Sequence, residues 1–277
     1  MGSSLKSLSI RISTDGLSFC VYTPAAQQPY RYERFDVKPV ISMAANLKEA
    51  LQSVDILQAQ YQRVNVLVST PQFTTVPTIA FDREQIQDTF NYVFHGTTQH
   101  SAHLSLADQP HVSYNVLRRS GIAIIFGLDR NVYQLLHDDF PRARFYAAAS
   151  TLIEHFSEQS MTGTGRKMYA YIHDQELTIY TFNQGRLLFV NTYTVRGLGD
   201  CQYYILNVWK MLEMDQLTDT LEIVEDDNHL GTYDENVARQ LCDKLSYFLR
   251  HSSLIERTDP LFTGIPYDLQ TMLICGF

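Results

Sequence analysis

Apolar side chains recur at every second position in two short runs near the N-terminus, Leu8, Ile10 and Ile12, then Leu17 and Phe19. An offset of 160 residues places Met168, Ala170, Ile172, Leu177 and Ile179 in the same pattern. Period-two alternation predicts half-buried strands, so each run pair predicts a hairpin. After each hairpin the chain repeats one order: a third strand, an amphipathic helix, a fourth strand, another helix.

In the first half, strands are predicted over 8–13 and 17–22 about an Asp15-Gly16 turn, with a third over 31–37. Met43, Leu47, Ala50, Leu51, Val54 and Leu57 keep the three- and four-residue spacing of a helix packed on a sheet. The run 64–68, VNVLV, is apolar enough for a strand covered on both faces. Asp82 with Gln85 opens a helix carrying Ile86, Phe90 and Phe94. A further hairpin, 112–118 and 122–126, has no counterpart in the second half. It is followed by a helix with Val132, Leu135 and Leu136, and another with Phe145, Ala149, Leu152, Ile153 and Phe156. In the second half, strands are expected over 167–172, 177–182 and 186–194, a helix over 200–214, and a strand over 221–224. Thr232 and Glu235 are expected to cap a final long helix with Val237, Leu241, Leu245 and Phe248. The parallel fourth strand in each half requires a right-handed crossover.

With 277 residues, 45% of them apolar, the chain can fill two cores. Two lobes are expected, 1–160 and 165–277, with a hinge in the small-residue run 161–165. The longest apolar stretch, 121–128, falls well short of the roughly 20 residues that span a bilayer, and 1–9 lacks a signal-type apolar region. A cytoplasmic protein without membrane partners is expected. Cys20, Cys201, Cys242 and Cys275 lie far apart, which suggests buried thiols rather than zinc ligands or disulfides. A net charge of −8 argues against nucleic acid.

The repeated element order resembles the duplicated ribonuclease-H-like core of the actin, sugar-kinase and heat-shock-chaperone ATPase superfamily. Segment 66–73, VLVSTPQF, is similar to the strand that ends in V-P-x-x-F in chaperone-type members. Segment 196–200, RGLGD, is similar to a turn that opens a helix in bacterial cell-division and pilus-assembly actin homologues. Over nearly its whole length the chain also resembles an uncharacterised Bacteroidetes family, a domain of unknown function. The fold class implied is α/β, a duplicated ribonuclease-H-like (actin-like ATPase) fold with two lobes and mixed sheets.

That resemblance implies an inter-lobe cleft for Mg-ATP, with Asp15 and Asp174 as Mg²⁺ or water-positioning carboxylates. Thr14 and Gly16, and Gly197 and Gly199, would then lie near the nucleotide. The motifs depart from the family pattern at three places. The first turn, Ser13 to Ser18, holds one carboxylate and one glycine in the wrong order. The second, 172–177, IHDQEL, has two acids and no glycine to let backbone N–H groups approach a phosphate. Where the family carries a Gly-Gly pair for adenosine, this chain has Glu225, Asp226 and Asp227. These acids either form a solvated loop or make a negative lip that excludes phosphates and attracts a basic partner segment.

Other groups add little chemistry. Gly163-Thr-Gly-Arg-Lys167 has the wrong element order for a phosphate loop. His95, His100, His103 and His111 fit no helix face and are expected as loop histidines, with a metal site as the alternative. No G-x-S-x-G elbow occurs, and Tyr169, Tyr171, Tyr203 and Tyr204 are expected to pack. Two functions follow. The first is a non-catalytic binding or scaffold module for a protein partner, with no cofactor. The second is an Mg-ATP-dependent ATPase or phosphotransferase with drifted motifs.

Overall fold

The computed structural model describes residues 6–14, 16–24, 26–96, 109–226 and 236–276. They divide into two compact units, the first ending at Thr151 and the second running Leu152–Gly276. The division falls inside a helix rather than in the run 161–165.

In the first unit, β1 (Ser7–Ile12), β2 (Gly16–Tyr22) and β3 (Tyr30–Asp36) form an antiparallel meander. Helix α1 (Met43–Ser53) crosses to β4 (Arg63–Val68), which lies parallel to β1 with Ile10 beside Val66. Ser42 starts α1 by accepting from the Ala45 N–H. Next come β5 (Phe73–Pro77), α2 (Ile86–His95), β6 (His111–Leu117), β7 (Ile122–Leu128), α3 (Arg130–Asp139) and β8 (Arg144–Ala147). Helix α4 (Ala148–Ser160) follows. The main sheet has the order β3-β2-β1-β4-β8, and β5-β7-β6 form a separate antiparallel sheet covered by α2. Asp82 and Gln85 do meet at the predicted start, where Gln85 Nε2 donates to the Asp82 carboxylate at 3.0 Å. Asn115 joins the two sheets. Its amide donates to the Phe145 carbonyl, and its oxygen accepts from the Ala147 N–H and the Ser150 hydroxyl.

The second unit repeats the main sheet. Strands β9 (Lys167–His173), β10 (Glu176–Asn183) and β11 (Arg186–Thr194) form the meander, and α5 (Leu198–Met211) leads to β12 (Thr220–Glu225), parallel to β9. Helix α6 (Val237–Leu245), β13 (His251–Leu254) and α7 (Tyr267–Cys275) complete it. Its order, β11-β10-β9-β12-β13, is that of the first sheet. One face is apolar, with Met168, Ala170, Ile172 and Ile179 packed on Ile205, Trp209, Leu241 and Leu245. The other face is aromatic. Phe156 of α4 stacks on Tyr169 at 4.2 Å and faces Tyr267 of α7 at 6.0 Å, which accounts for Tyr169 and Tyr171 as core residues.

Several expectations change. Phe145, expected in the helix with Ala149, lies in strand β8, and β5 stands where no strand was expected. Helix α6 ends at Leu245, so Phe248 lies beyond it and Leu249 turns inward instead. The strand β13 and the helix α7 follow where no element was expected. Thr232 and Glu235 lie outside the described residues. The run 161–165 also has a packing role, because a Cβ on Gly165 would stand 2.5 Å from the Thr218 carbonyl oxygen. Next to it, Arg166 donates through Nε to Asp219 at 3.0 Å and through Nη1 to the Leu212 carbonyl at 2.7 Å. Gly165 is therefore required by close backbone approach.

Candidate functional site

Both hairpin turns lie where their sheets pass from antiparallel to parallel strands, at the carboxyl ends of β1 and β9. Open α/β sheets bind ligands at such ends. In the first, the Ser13 N–H donates to the Gly16 carbonyl at 3.0 Å, so Ser13 and Gly16 face each other. This corrects the predicted Asp15-Gly16 turn: Gly16 belongs to the strand. It lies outside the left-handed region, and an added Cβ would meet only Ser13 Oγ at 3.5 Å. Thr14 is exposed. Asp15 lies outside the described residues.

The second turn is built differently. His173 pairs with Glu176, and between them Asp174 and Gln175 both adopt positive φ, 42° and 59°. Two-residue hairpins need that geometry and usually meet it with Asn-Gly; here two side chains occupy it instead. Asp174 is 8% exposed, and its carboxylate lies 3.2 Å from His173 Nδ1. The other ring nitrogen of His173 meets Thr178 Oγ1 at 3.0 Å, and Thr178 meets Thr192 at 2.9 Å. The imidazole stacks on Tyr171 at 4.2 Å. Asp174 thus belongs to an internal polar chain.

Tyr171 leads to the end of β12. Its hydroxyl donates to Asp226, whose other carboxylate oxygen accepts from the Tyr267 N–H at 2.7 Å and lies 3.5 Å from Arg257 Nη1. The same guanidinium donates to the carbonyls of Glu225 and Ile265. Asp226 also extends the β9–β12 ladder by donating its N–H to the Ile172 carbonyl at 3.0 Å. At 4% exposed it is an internal junction, which corrects its expected place on a surface lip. Glu225 is partly buried, and its carboxylate accepts from the Ala238 N–H at 2.8 Å. It satisfies the first turn of α6, where Asn236 provides no side-chain cap. Asp227 lies outside the described residues. Arg257 carried no signal in the sequence and Tyr171 none beyond packing, since a lone arginine in a loop and a tyrosine in a strand fit many roles.

At the start of α5 the Gly197 carbonyl accepts from the Asp200 and Cys201 N–H groups. The backbone of Gly197 is extended, and a Cβ on Gly197 or Gly199 would meet nothing within 4 Å. The Asp200 carboxylate accepts from the Arg196 N–H at 2.9 Å and places negative charge on the helix's first turn. That charge opposes a second anion there.

The histidines expected in one loop are not gathered into a site among the described residues. His95 ends α2, His111 stacks on Tyr133 at 3.4 Å, and His100 and His103 lie outside the described residues. Among the described residues, no group of three or more His, Cys, Asp or Glu side chains could hold a metal. Burial pushes the Cys20 and Cys201 thiols up to about 12, away from reactivity. A cavity of about 670 Å³ lies at the opposite ends of β4 and β8 in the first unit, lined by Tyr61, Phe140, Pro141 and Arg142 among others. No sequence motif marks it. No helix among the described residues is long and apolar enough to cross a membrane.

Comparison with known proteins agrees with this architecture. A Bacteroides thetaiotaomicron protein with an actin-like ATPase fold and unknown function is 32% identical over 99% of this chain and 97% of its own, with a TM-score of 0.79. The PilM–PilN type IV pilus biogenesis complex matches 97% of this chain and 94% of its own at 9% identity, with a TM-score of 0.50, a likeness of fold alone. No protein of curated function matches the chain in sequence. A family model described as "Protein of unknown function (DUF3822)" matches residues 2–241. With its mixed, duplicated sheets and these matches, the chain has an actin-like ATPase fold and belongs to the DUF3822 family.

Proposed function

We propose that this protein is a non-catalytic binding or scaffold module built on the actin-like fold, with a protein as its partner. One observation carries the proposal: the acids that the resemblance would assign to the nucleotide or to its exclusion, Asp174 and Asp226, are engaged inside the second unit. A phosphate needs convergent, unobstructed N–H groups. The second turn offers two left-handed residues that both carry side chains, with a buried carboxylate beside them. Asp200 adds negative charge at the start of α5. The fold also occurs in the PilM–PilN complex, so it is compatible with service in an assembly.

The open space over Gly197 and Gly199 favours a second reading, an Mg-ATP-dependent ATPase or phosphotransferase. Calorimetric titration with Mg-ATP and a nonhydrolysable analogue separates the two. Binding at a hundredfold excess over Kd would add about 2.7 kcal/mol of stability, a shift of several degrees in Tm. Neither heat of binding nor a Tm shift is expected. A Mg-dependent shift abolished by Asp15→Ala would overturn the proposal and make the catalytic reading primary.

A further inference from the structure

In the first unit three aromatic rings lie nearly parallel. The His111 imidazole, on the first residue of β6, stacks on Tyr133 of α3 with centroids 3.4 Å apart and planes 8° apart. One turn further along α3, His137 covers the same phenol ring at 5.6 Å and 9°. Phe145 of β8 closes the side at 5.0 Å. Arg130, one turn before Tyr133, donates through Nε to the Gln109 carbonyl at 3.1 Å, just before β6 begins. The start of β6 is thus held to α3 by one hydrogen bond and one ring stack, beyond its ladder to Leu128 and Gly127 of β7.

We propose that the His111–Tyr133–His137 stack is a pH-sensitive latch that holds the start of β6 against α3 near neutral pH and releases it on acidification. Among the described residues, the charged and titratable groups around His111 are unbalanced toward the positive. Arg130 and His137 face it from α3, while Phe145 from β8 carries no charge. The nearby Asp129 carboxylate is engaged by the Asn131 and Val132 N–H groups at the start of α3, and Asp138 accepts from Gln134. Burial, then Arg130 and His137, hold the imidazole below the ordinary histidine range. The fold therefore stabilises neutral His111. That contribution is complete above the unfolded value of about 6.5 and is lost as pH falls through the lower folded value. An imidazolium would gain something from the face of the Tyr133 ring. Desolvation, then the charges of Arg130 and His137, outweigh it.

Amide exchange and imidazole NMR on the full chain test the latch. Between about pH 7.5 and about pH 5, after correction for the chemical exchange rate, the ladder amides of residues 111 and 113 should lose protection while Leu177 and Ile179 in the second unit keep theirs. His111→Phe keeps a ring in the stack and should abolish that loss. His137→Gln removes one electrostatic opponent of the imidazolium and should move the His111 midpoint upward toward the ordinary value. The latch is overturned by pH-independent protection at β6 in the unmodified protein. It is equally overturned by acid loss of the same size in His111→Phe, or by a His111 midpoint at or above the ordinary value. Should His111→Phe fail to fold, the His111 midpoint in the unmodified protein and in His137→Gln decides the question.

Discussion

Replacing Asp226 with alanine asks directly whether this acid is a surface residue or a structural junction. The carboxylate accepts the Tyr267 N–H and the Tyr171 hydroxyl and lies beside Arg257, whose side chain is 16% exposed against 4% for Asp226. Asp226→Ala would leave two buried donors without this acceptor and remove a carboxylate from beside a largely buried cation. Hydrogen bonds to charged groups contribute about 1.5–3 kcal/mol each, and breaking a buried pair costs about 3–5 kcal/mol. These overlap at one carboxylate, so the expected loss is about 3–5 kcal/mol rather than their sum. Trp209, the single tryptophan, lies in the core of the same unit and reports its unfolding by fluorescence. With a urea slope of about 2 kcal/mol per molar, the midpoint should fall by about 2 M. Asp226→Asn keeps the shape and one acceptor and should fall between. A double-mutant cycle with Arg257→Met should show a coupling of about 1 kcal/mol or more. An exposed loop acid would instead give a change within about 0.5 kcal/mol. That result, with no coupling to Arg257, would refute the junction.

Two further outcomes follow from packing. Gly165→Ala should lower stability by about 1–3 kcal/mol, because its Cβ would meet the Thr218 backbone at 2.5 Å, whereas Gly197→Ala should leave stability nearly unchanged; paired urea titrations compare them. Alkylation of the native protein should modify exposed Cys275 first and reach Cys20 and Cys201 only on unfolding, as peptide mass mapping of a time course would show.

The architecture was legible because its main strands alternate cleanly. Leu8, Ile10, Ile12 and their counterparts Met168, Ala170 and Ile172 all point into cores. The elements that escaped notice have patterns without a period. Strands β8 and β13 are four residues each and β5 is five, too short to show alternation. In α7 the polar residues Asp268, Gln270 and Thr271 are buried alongside Leu269 and Met272, so no apolar stripe marks the helix. The candidate site was less legible for a related reason. Consecutive acids such as Glu225 and Asp226 suggest solvent, but one caps α6 and the other gathers donors from β9, α7 and the Arg257 loop. Long-range partners of that kind leave no trace in local spacing.

The duplicated sheets have unequal outer borders. Strand β3 carries Arg31, Glu33, Arg34 and Asp36 along its length, and Arg31 and Glu33 are joined by an ion pair, a composition that discourages edge-to-edge association with another chain. Its counterpart β11 contains the uninterrupted apolar run Leu187, Leu188, Phe189 and Val190, with Leu188 exposed. Such a border has high β-propensity and no internal charge to repel a second strand. Strand-to-strand aggregation is therefore opposed at one border of the duplicated fold and only lightly guarded, by Arg186 and Asn191, at the other.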